Sequence, residues 1–513
     1  MSRFYVTTPI YYINAEPHLG HTYTTVIADT LARFHRALGD ETFFVTGTDE
    51  HGDKIAAAAA AAGESPRAYA DRISRIFRDT WDACGFQYDH FIRTTDDYHV
   101  RTVQECLSRV YANGDIYFSR YGGLYCTGCE RFYTEKELVD GKCPDHLTPP
   151  TFIEEENYFF RMTKYQAAFI AHLEAHPETI TPARYRNEVL AMLRAEALPD
   201  LCISRPKARL EWGIELPFDR NYVTYVWWDA LVNYLSALKA HGDATFETMW
   251  PAAHHVMAKD ILKQHGIFWP TMLMALGLPL FHRLLVHGYW LHGESKMSKS
   301  LGNVIRPLEM KARYGMDAFR YFLLREMSFG QDATFSEDAF ITRVNADLAN
   351  NLGNLVSRTL SMQQRYFDGA VQPLGPLTAE DNELIAMFTD AYREVPRLSR
   401  ELAFHHALEA LWRAIDHANK YIVVTAPFTL AKDAAQRPRV GAILHHLLEA
   451  LYASAVLLQW FLPETSVRIL QLLGAAPLTT LPPALAWGTH FTAGAQTQSP
   501  VALFPRIETD QKS

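Results

Sequence analysis

The sequence predicts an α/β fold, in which a doubly wound parallel sheet is split by an insertion and followed by an all-α helix bundle. Strand and helix patterns alternate over the first hundred residues, stop near Tyr117 and resume near Tyr225. From Asn345 to Leu473, apolar residues recur at helical spacing with few strand patterns. Repeated β-α-β order favours a parallel sheet covered by helices, and the long helical stretch favours a bundle.

The first half of the sheet is predicted from three β-prone runs, residues 4–7, 42–46 and 91–94. Between the last two, the alanine-rich residues 56–62 form a helix that Gly63 closes. The helix after the first strand has one buried face, because its apolar side chains and one threonine recur three and four residues apart. That face consists of Tyr23, Val26, Ile27, Thr30, Leu31 and Phe34.

Five segments are predicted along the chain. They are 1–116, the first half of the sheet domain; 117–222, the insertion; 223–325, the second half of the sheet domain; 326–480, the helical domain; and 481–513, a C-terminal tail. The second half begins with an aromatic run, residues 225–234, which is predicted to be a strand that leads into a helix. The tail ends in apolar residues 503–507, which we expect to pack back on the body.

Composition places the chain among ordinary globular proteins. It has 513 residues, of which 12% are aromatic and 21% charged, and is long enough for two to four domains. A formal net charge of −9 argues against a uniformly basic coat for nucleic acid, although a local basic groove is compatible with it. No secretory signal precedes the first strand. The apolar residues 443–462 include His445 and Glu449, which favours a buried helix over a membrane span. We therefore expect a cytoplasmic protein with no membrane partner.

Three of the six cysteines lie close together in the sequence. Cys126 and Cys129 form a Cys-x2-Cys motif, and thirteen residues further on Cys143 and His146 form a Cys-x2-His motif. Three thiolates and one imidazole make the tetrahedral ligand set that Zn²⁺ prefers. Because all four ligands come from the protein, the predicted zinc is structural and stabilises an insertion with a small core. Reduced cysteines in a loop are the alternative interpretation.

The loop after the first strand contains the motif His18-Leu19-Gly20-His21. A strand-to-helix loop in an α/β sheet is a place where phosphates bind to backbone N–H groups. His18 and His21 are three residues apart at the start of the helix, so both point the same way. Gly20 has no Cβ, which lets a flat group such as adenine approach the backbone. Taken alone, the motif fits an ordinary helical turn with two hydrogen-bonded histidines equally well.

A second motif, Lys296-Met297-Ser298-Lys299-Ser300, lies 275 residues after His21. Gly293 and Gly302 flank it and indicate a loop. An isolated Lys-x-x-Lys is typical of a solvated basic surface loop. Together, however, the two motifs resemble the paired signatures of class I aminoacyl-tRNA synthetases, and their flanks resemble the methionyl-tRNA synthetases in particular. The resemblance covers about residues 4–508.

The resemblance implies a Rossmann-like catalytic domain with a zinc-knuckle insertion, followed by an all-α anticodon-binding bundle. It also implies two reactions: L-methionine and ATP give methionyl-adenylate and pyrophosphate, and the methionyl group then passes to the terminal adenosine of tRNA(Met). Phosphoryl transfer depends on positioning and charge neutralisation, which suits His18, His21, Lys296 and Lys299 as catalytic cations. Mg²⁺ is expected with ATP. The ATP contacts implied are His18, Gly20, His21, Asp260, His287, Gly288, Lys296 and Lys299.

The resemblance also places methionine in an aromatic pocket. Its positions are Tyr12, Asp49, Trp227, Ala230, Tyr234, Ile261 and His265. Asp49 resembles the carboxylate that holds the α-ammonium group. A flexible thioether suits such a pocket, since sulfur packs well against ring edges. On pattern alone, core packing explains Trp227 and Ile261 more simply.

Three positions resemble the family's readers of the CAU anticodon. Asn354 and Arg358 lie four residues apart on one predicted helix face, and Trp487 follows in the tail. RNA loops are read by hydrogen bonds to splayed bases and by stacking on aromatic rings, which these residue types supply. Without the family, generic solvated polar residues would explain Asn354 and Arg358.

The alternatives differ in what they require of the sequence. A synthetase for leucine, isoleucine or valine would carry a larger editing insertion, and a small adenylyltransferase would not need the helical region. A catalytically inactive paralogue that only binds tRNA would not need both histidines and both lysines of the two motifs. No dimerisation module follows Arg506, so we expect a monomer.

Overall fold

The computed structural model describes residues 2–126, 131–133, 135–144, 147–292, 295–296 and 304–508. Its contacts divide the chain into two compact units. We call Arg3–Ala28 with Thr42–His287 the sheet unit, and Met1–Ser2 with Asp29–Glu41 and Gly288–Ser513 the helical unit.

The sheet unit contains fourteen described strands and nine helices, the first of which continues into the helical unit. The strands are β1 Arg3–Thr7, β2 Tyr11–Tyr12, β3 Glu41–Asp49, β4 His90–Arg93, β5 Ile116–Cys126, β6 Arg131–Tyr133, β7 Thr151–Phe160, β8 Ile180–Thr181, β9 Leu201–Cys202, β10 Ser204–Pro206, β11 Glu215–Leu216, β12 Asp219–Thr224, β13 Ala253–Ala258 and β14 Arg283–His287. The helices are α1 Leu19–Ala37, α2 Asp53–Ala62, α3 Pro66–Ala83, α4 Asp97–Ala112, α5 Gln166–Ala175, α6 Ala183–Ala195, α7 Val226–Lys239, α8 Asp243–Met249 and α9 Trp269–Ala275.

Seven strands form the central sheet, in the order β2-β3-β1-β13-β14-β8, with β4 also paired to β3. The pairs β1–β13, β13–β14, β14–β8, β2–β3 and β3–β4 are parallel. The predicted parallel sheet is confirmed. Because parallel strands end at the same edge of a sheet, the segments that follow β2, β3 and β13 meet there, and such an edge is where α/β proteins bind ligands.

Two local predictions were wrong. The second strand was predicted to end at residue 46, but β3 continues through Gly47 to Asp49, because β2 and β4 both pair with its last residues. A Cβ on Gly47 would lie 2.0 Å from the carbonyl oxygen of Ile92, so only glycine allows this close pairing. The aromatic run from Tyr225 is the beginning of α7 instead of a strand. Asp229 in its first turn favours the positive end of a helix.

The range predicted as the insertion forms two antiparallel sheets, β6-β5-β7-β9 and β10-β12-β11. Within the same range, Ile180 and Thr181 pair in parallel with Leu284 and Leu285 of β14. Residues 117–222 therefore also supply an edge strand to the central sheet. The segment boundaries themselves stay a prediction.

The helical unit is mostly α-helix, as predicted for its later part. Its small sheet consists of β15 Trp290–His292, β16 Ser295–Lys296 and β17 Ala333–Phe335. Its helices are α10 Pro307–Tyr314, α11 Met316–Glu326, α12 Glu337–Arg343, α13 Asn354–Phe367, α14 Ala379–Arg400, α15 Phe404–Thr425, α16 Pro427–Leu430, α17 Arg437–Leu458 and α18 Pro463–Leu473, with a π-helical stretch Val344–Gly353 before α13. The predicted helix bundle is confirmed.

One buried arginine ties several parts of the helical unit together. Nη1 of Arg320, on α11, donates to Oδ2 of Asp29 over 2.6 Å. Nη2 donates to Oγ1 of Thr30 and to the carbonyl oxygen of Trp460, each over 3.1 Å. Nε donates to the carbonyl oxygen of Phe461 over 2.8 Å. The side chain of Arg320 is only 1% exposed, so these contacts take the place of its hydration.

Within the described residues, one helical segment, Ala434–Leu458, is long and apolar enough to cross a membrane. The whole of its apolar window is buried inside the protein. This agrees with the interpretation of residues 443–462 as a core helix.

Candidate active site

His18 and His21 lie together where α1 begins, and their rings stack with 3.8 Å between centroids. The backbone N–H of His18 donates to Nδ1 of His21 over 3.3 Å, and the backbone N–H of Gly20 donates to Nδ1 of His18 over 3.0 Å. A ring nitrogen that accepts a hydrogen bond carries no proton, so both neutral rings are protonated on Nε2. An Nε2–H is a donor that a phosphate oxygen accepts from, and the helix end adds positive potential.

Gly20 has a packing role beside these rings. A Cβ at this position would lie 3.0 Å from Cε1 of His18, so the absence of a side chain lets that ring lie against the first turn of α1. The sequence suggested that Gly20 gives access to adenine. In the structure, the space that a side chain at this position would need is next to the imidazole of His18.

Tyr12 and Asp49 stand side by side at the carboxyl edge of the central sheet. They are direct pairing partners, at the ends of β2 and β3. The backbone N–H of Ile13 donates to the carbonyl oxygen of Asp49 over 3.3 Å, which continues the pairing. Asp49 is 7% exposed, and Nζ of Lys54 lies 5.6 Å from the centroid of the Tyr12 ring. A buried carboxylate and an aromatic ring thus adjoin at the edge where ligands bind.

The remaining predicted pocket residues come from α7 and the segment after β13. Trp227, Ala230 and Tyr234 follow one another at three- and four-residue spacing on one face of α7. The hydroxyl of Tyr234 lies 2.7 Å from Nε2 of His265. The rings of Trp227 and His265 meet edge to face, with 6.2 Å between centroids and 84° between planes. Nδ1 of His265 lies 3.1 Å from the carbonyl oxygen of Ile261.

The imidazole of His265 is neutral at physiological pH. Burial lowers the pKa of His265 to about 4, although its contact with the carbonyl of Ile261 and the charge of Asp260 act in the opposite direction. Nδ1–H therefore donates to Ile261, and Nε2 accepts from the hydroxyl of Tyr234. Burial also raises the pKa of Tyr234, with smaller contributions in the same direction from Tyr11 and Asp49. The result is an aromatic wall without charge of its own.

The other predicted nucleotide contacts of the sheet unit lie at two neighbouring strand ends. Asp260 is exposed, in the short turn Lys259–Ile261 that follows β13. His287 is the last residue of β14 and is 2% exposed. Its Nε2 lies 2.8 Å from Oγ1 of Thr24 on α1.

Gly288, Lys296 and Lys299 belong to the helical unit. A Cβ on Gly288 would lie 2.1 Å from the carbonyl oxygen of Gln331, so packing alone requires glycine there. Lys296 is the last residue of β16 and pairs with Leu291 of β15. Lys299 lies outside the described residues.

Two family models together match most of the chain. One described as "tRNA synthetases class I (M)" matches residues 4–149 and 146–360, and one described as "Anticodon binding domain of methionyl tRNA ligase" matches residues 372–513. The chain belongs to the methionyl-tRNA synthetase family. The predicted resemblance is thereby confirmed.

Similar proteins agree with this membership. The chain is 45% identical over 511 residues to a methionine–tRNA ligase of Caldanaerobacter subterraneus, covering 99% of this chain and 80% of that protein. It is 45% identical over 512 residues to that of Deinococcus radiodurans, covering 98% and 74%. The structure superposes on Mycobacterium tuberculosis methionyl-tRNA synthetase in complex with methionyl-adenylate with a TM-score of 0.94, at 41% identity, over 99% of this chain and 100% of that chain. For the apo form of the same enzyme the TM-score is 0.87, at 38% identity and 99% coverage of both chains.

In the methionyl-tRNA synthetase fold of this chain, Asn354 borders an open groove of about 540 Å³. One side of the groove is the helix that carries Asn354, and the other is the tail. Its lining residues are Ala349, Asn350, Gly353, Asn354, Ser357 and 500–504. Two hydrogen bonds between the side chain of Asn345 and the backbone of Ile507, of 2.8 and 2.9 Å, hold the tail beside this groove.

Arg358 and Trp487 do not line this groove. Arg358, four residues after Asn354, is half-buried, and over the described residues the structure gives its guanidinium no carboxylate partner. The indole N–H of Trp487 donates to Nδ1 of His446 over 3.0 Å, and its ring packs against Phe388 with 5.8 Å between centroids. The structure therefore places Asn354 at the groove and anchors Trp487 on α14 and α17.

Two of the four predicted zinc ligands are described, and both are buried. Cys126 ends β5, and Cys143 packs with it and Tyr133 in a small cluster. Sγ of Cys143 lies 3.3 Å from the hydroxyl oxygen of Tyr133. Cys129 and His146 lie outside the described residues, and among those described no three His, Cys, Asp or Glu side chains are grouped to hold a metal.

Sequence reasoning missed a buried polar cluster beside the pocket. Oδ2 of Asp229 lies 2.7 Å from Nδ1 of His51, and Oδ1 lies 2.7 Å from Nε2 of His99. Nδ1 of His99 in turn lies 2.7 Å from Oγ of Ser236. The one available signal was the proximity in sequence of His51 to Asp49 and of Asp229 to Ala230.

Proposed function

We propose that this protein is a methionine–tRNA ligase that activates L-methionine with ATP, releases pyrophosphate and transfers the methionyl group to the terminal adenosine of tRNA(Met). The observation that carries the proposal is a buried carboxylate, Asp49, paired with Tyr12 at the carboxyl edge of the sheet, in the unit that also contains an uncharged aromatic wall with Tyr234 and His265. A carboxylate selects the α-ammonium group that distinguishes amino acids from other acids. An uncharged aromatic wall suits a thioether side chain. Relatives and structures with methionine-specific names match nearly the whole chain.

In the proposed first step, Asp49 binds the α-ammonium group while Tyr12, Trp227, Ala230, Tyr234, Ile261 and His265 surround the side chain of methionine. The methionine carboxylate attacks the α-phosphorus of ATP, and the bond to the β-phosphate oxygen breaks to release pyrophosphate. His18 and His21 donate hydrogen bonds to the phosphate oxygens through their Nε2–H groups, and the positive charge comes from the two lysines of the second motif. We assign Lys296 and Lys299 to the same triphosphate, and Gly20, Asp260, His287 and Gly288 to the nucleotide around it. Mg²⁺ accompanies ATP.

Methionine-dependent ATP–pyrophosphate exchange tests this step. We expect exchange with L-methionine and not with L-leucine or L-valine, and a loss of 10²–10³-fold, on the order of one lost charge-stabilising donor, for Lys296→Ala or His21→Ala. A matched control is Lys311→Ala, which removes a lysine from α10 outside both motifs. An intact chain without exchange would leave the alternative of a tRNA-binding paralogue without catalysis.

In the proposed second step, a hydroxyl of the terminal ribose of tRNA(Met) attacks the methionyl carbonyl carbon, the bond to the adenylate phosphate breaks and AMP leaves. The helical unit selects this tRNA by reading its anticodon through Asn354, Arg358 and Trp487. The groove beside Asn354 supports this, because it is open, and lined by amide and hydroxyl side chains on one wall and by apolar tail residues on the other. Such a groove offers both hydrogen bonds and an apolar surface to an unstacked base. The guanidinium of Arg358 adds a cation and a stacking plane.

Charging of tRNA separates this role from catalysis. We expect Asn354→Ala and Arg358→Ala to lower kcat/KM for tRNA(Met) about 10- to 100-fold while pyrophosphate exchange stays unchanged. Arg365→Ala is a matched control, since Arg365 lies on the same helix about two turns further on. Equal losses in Arg358→Ala and Arg365→Ala would contradict the assignment.

We further propose that Cys126, Cys129, Cys143 and His146 hold one structural Zn²⁺. Support comes from the two described thiols, which are both buried in the same small cluster. Thiolate donors suit zinc, and closing the cluster around a metal would stabilise an insertion sheet with little core of its own. We expect about one zinc per chain by elemental analysis, and a loss of zinc in Cys126→Ser and Cys143→Ser but not in Cys202→Ser. Zinc that persists in all three variants would contradict the ligand set.

A monomeric state and a cytoplasmic location complete the proposal. Sedimentation velocity tests the first, with one species of 58.4 kDa expected. Fractionation of cells that express the tagged chain tests the second.

A further inference from the structure

The cluster of His51, Asp229, His99 and Ser236 joins three separate segments of the sheet unit. His51 follows β3, His99 lies in the first turn of α4, and Asp229 and Ser236 lie two turns apart on α7. The three hydrogen bonds that connect these four side chains are each 2.7 Å long. Asp229 and His99 are 1% and 0% exposed, so the cluster is an internal connection and not a surface ion pair.

The carboxylate of Asp229 is ionised in this cluster. Burial alone would raise the pKa of Asp229, but the nearby rings of His51 and His99 outweigh it, and the pKa lies below its usual value. Both histidines therefore donate to it, through Nδ1–H of His51 and Nε2–H of His99. Hydrogen bonds to an ionised acceptor are short and strong, so the cluster is stiff.

The loop that follows β3 is also held at Glu50, the residue before His51. Oε1 and Oε2 of Glu50 accept from Nε and Nη2 of Arg93 over 2.7 and 2.8 Å. Oε2 of Glu50 also accepts from Oγ1 of Thr95 over 2.6 Å. Trp212 makes two hydrogen bonds to this loop. Its indole N–H donates to the carbonyl oxygen of Glu50 over 2.6 Å, and its backbone carbonyl accepts from the N–H of Gly52 over 3.3 Å. The two residues that follow Asp49 are thus each fixed by a charged partner.

We propose that His51, Asp229 and His99 are positioning residues that set the location of Asp49 relative to the wall of α7, and that they thereby determine the affinity for the ammonium group of the substrate. His51 lies two residues after Asp49, and Asp229 immediately precedes Ala230. One hydrogen bond between His51 and Asp229 therefore couples the carboxylate of the pocket to its aromatic wall. A charged group displaced by about 1 Å loses much of its binding energy, so a stiff link at this point affects recognition directly.

This inference rests on the proposed function, in which Asp49 binds the α-ammonium group. It differs from that assignment because the cluster itself does not touch the substrate. It also makes a selective prediction: weakening the cluster lowers affinity for ligands that carry the ammonium group and leaves other ligands unaffected. A role in general stability would lower the affinity for all of them alike.

The experiment uses the full chain and two methionine analogues as competitive inhibitors of pyrophosphate exchange. Methioninol keeps the thioether and the ammonium group, whereas 4-(methylthio)butanoate keeps the thioether and the carboxylate but has no ammonium group. For His51→Ala and Asp229→Asn we expect the KM for methionine and the inhibition constant of methioninol to rise about tenfold. The inhibition constant of 4-(methylthio)butanoate and the KM for ATP should change less than twofold.

Three further variants make the result decisive. His51→Asn keeps a side-chain N–H near the position of Nδ1 and should restore most of the affinity for methioninol. Asp71→Asn removes a carboxylate that pairs with Arg93 at the same strand end but outside the cluster, and should change none of the constants. Asp49→Asn should show the ammonium-selective loss in its strongest form.

The outcomes separate the two proposals. If Asp49→Asn shows the selective loss but His51→Ala and Asp229→Asn raise all constants alike, or none, the positioning role is overturned and the function stands. If Asp49→Asn itself lacks the selective loss, the assignment of Asp49 and the positioning role both fail. Should Asp229→Asn not fold, His51→Ala, which keeps Asp229 and its contact with His99, gives the same answer.

Discussion

The hydroxyl of Tyr234 on α7 and Nε2 of His265 in the π-helical turn Gln264–Phe268 are 2.7 Å apart, and both side chains are buried. This contact joins the two segments that form the wall of the proposed methionine pocket. It also orients the imidazole, because Nε2 accepts the hydroxyl proton and Nδ1–H faces the carbonyl of Ile261. The wall therefore depends on one neutral hydrogen bond.

Tyr234→Phe tests the importance of this hydrogen bond. The substitution keeps the ring and leaves Nε2 of His265 buried without its donor, which costs about 1–3 kcal/mol. We expect the KM for methionine in pyrophosphate exchange to rise about tenfold, with a smaller change in the KM for ATP. Tyr158→Phe is the control, because it removes a hydroxyl that binds Asp219 in the insertion. An unchanged KM for methionine in Tyr234→Phe would mean that the hydroxyl does not position the wall.

The neutral state of His265 leads to a prediction for stability against pH. Its pKa is about 4 when folded and about 6.5 when unfolded, so the unfolded chain binds the proton more tightly. The contribution of His265 to the free energy of unfolding is therefore complete at pH 8 and is lost as the pH falls from about 6.5 toward 4. Between pH 8 and pH 5 the loss from this group is about 2 kcal/mol.

Urea unfolding of the parent and of His265→Gln at pH 8 and pH 5 measures this contribution. Between pH 8 and pH 5, the free energy of unfolding of the parent should fall by about 2 kcal/mol more than that of the variant. His255 is also buried, and its pKa lies well below the usual value, mainly because of burial. It is present in both proteins, and because burial is a larger cause of its shift than the charge of His265, most of its contribution cancels in the comparison. Equal losses in the two proteins would show that His265 is protonated in the folded state.

The buried pair of Asp29 and Arg320 is expected to be costly to break from either side. Arg320→Met leaves the carboxylate of Asp29 with Arg33 as its remaining cation, at 2.7 Å. Removal of one partner of a buried pair typically costs about 3–5 kcal/mol. We expect thermal unfolding of the helical unit at a clearly lower temperature in Arg320→Met and in Asp29→Asn. The double variant should be less destabilised than the sum of the two.

A double-mutant cycle evaluates that expectation. The coupling between Asp29 and Arg320 should be 0.5 kcal/mol or more, on the order of that for residues in one network. Arg325→Met is the matched control, because Arg325 is on the same helix and its partner Glu409 is 35% exposed. If Arg325→Met destabilises the protein as much as Arg320→Met, burial of the ion pair does not increase the cost of breaking it.

The elements that sequence could predict are those whose information is local. All six residues predicted to form the buried face of α1, from Tyr23 to Phe34, are buried. Residues 22–32 are buried without exception, however, so α1 is enclosed on all sides and helical spacing identified only part of its buried surface. Gly63 in the left-handed conformation closes α2 for an equally local reason. The parallel direction of the strands in the central sheet followed from the repeated β-α-β pattern, whereas their order was not predicted.

The errors arise where partners distant in sequence decide the outcome. Tyr225 and the aromatic residues after it have strand propensity, but tertiary packing places them at the start of α7. The hydrogen-bond partners of Asp229 are His51 and His99, which are 178 and 130 residues away in sequence, and no spacing rule connects them. Resemblance to a family supplied the pocket positions, whereas the cluster that connects them required coordinates.

Asp317 leads to a pH dependence opposite in sign to that of His265. Burial raises its pKa to about 6, although a hydrogen bond from the backbone N–H of Thr465 to Oδ2, 2.6 Å long, acts against the shift. Within the described part of the chain, Oδ1 has no hydrogen-bond partner. The folded state therefore binds the proton more tightly than the unfolded one. Its contribution is complete below the unfolded pKa of 3.8 and is lost as the pH rises through about 6.

Asp317→Asn makes the neutral state permanent, because the amide oxygen can still accept from Thr465 and the amide group carries no charge. The variant should gain about 2 kcal/mol of unfolding free energy relative to the parent between pH 4 and pH 7.5, as urea unfolding at the two pH values measures. Asp338→Asn, at an exposed position on α12, should show no such gain. A gain of the same size at both pH values would mean that Asp317 does not titrate in this range. Because a buried, unpaired carboxylate oxygen opposes folding only when it is charged, the pH dependence and not the absolute stability decides the case.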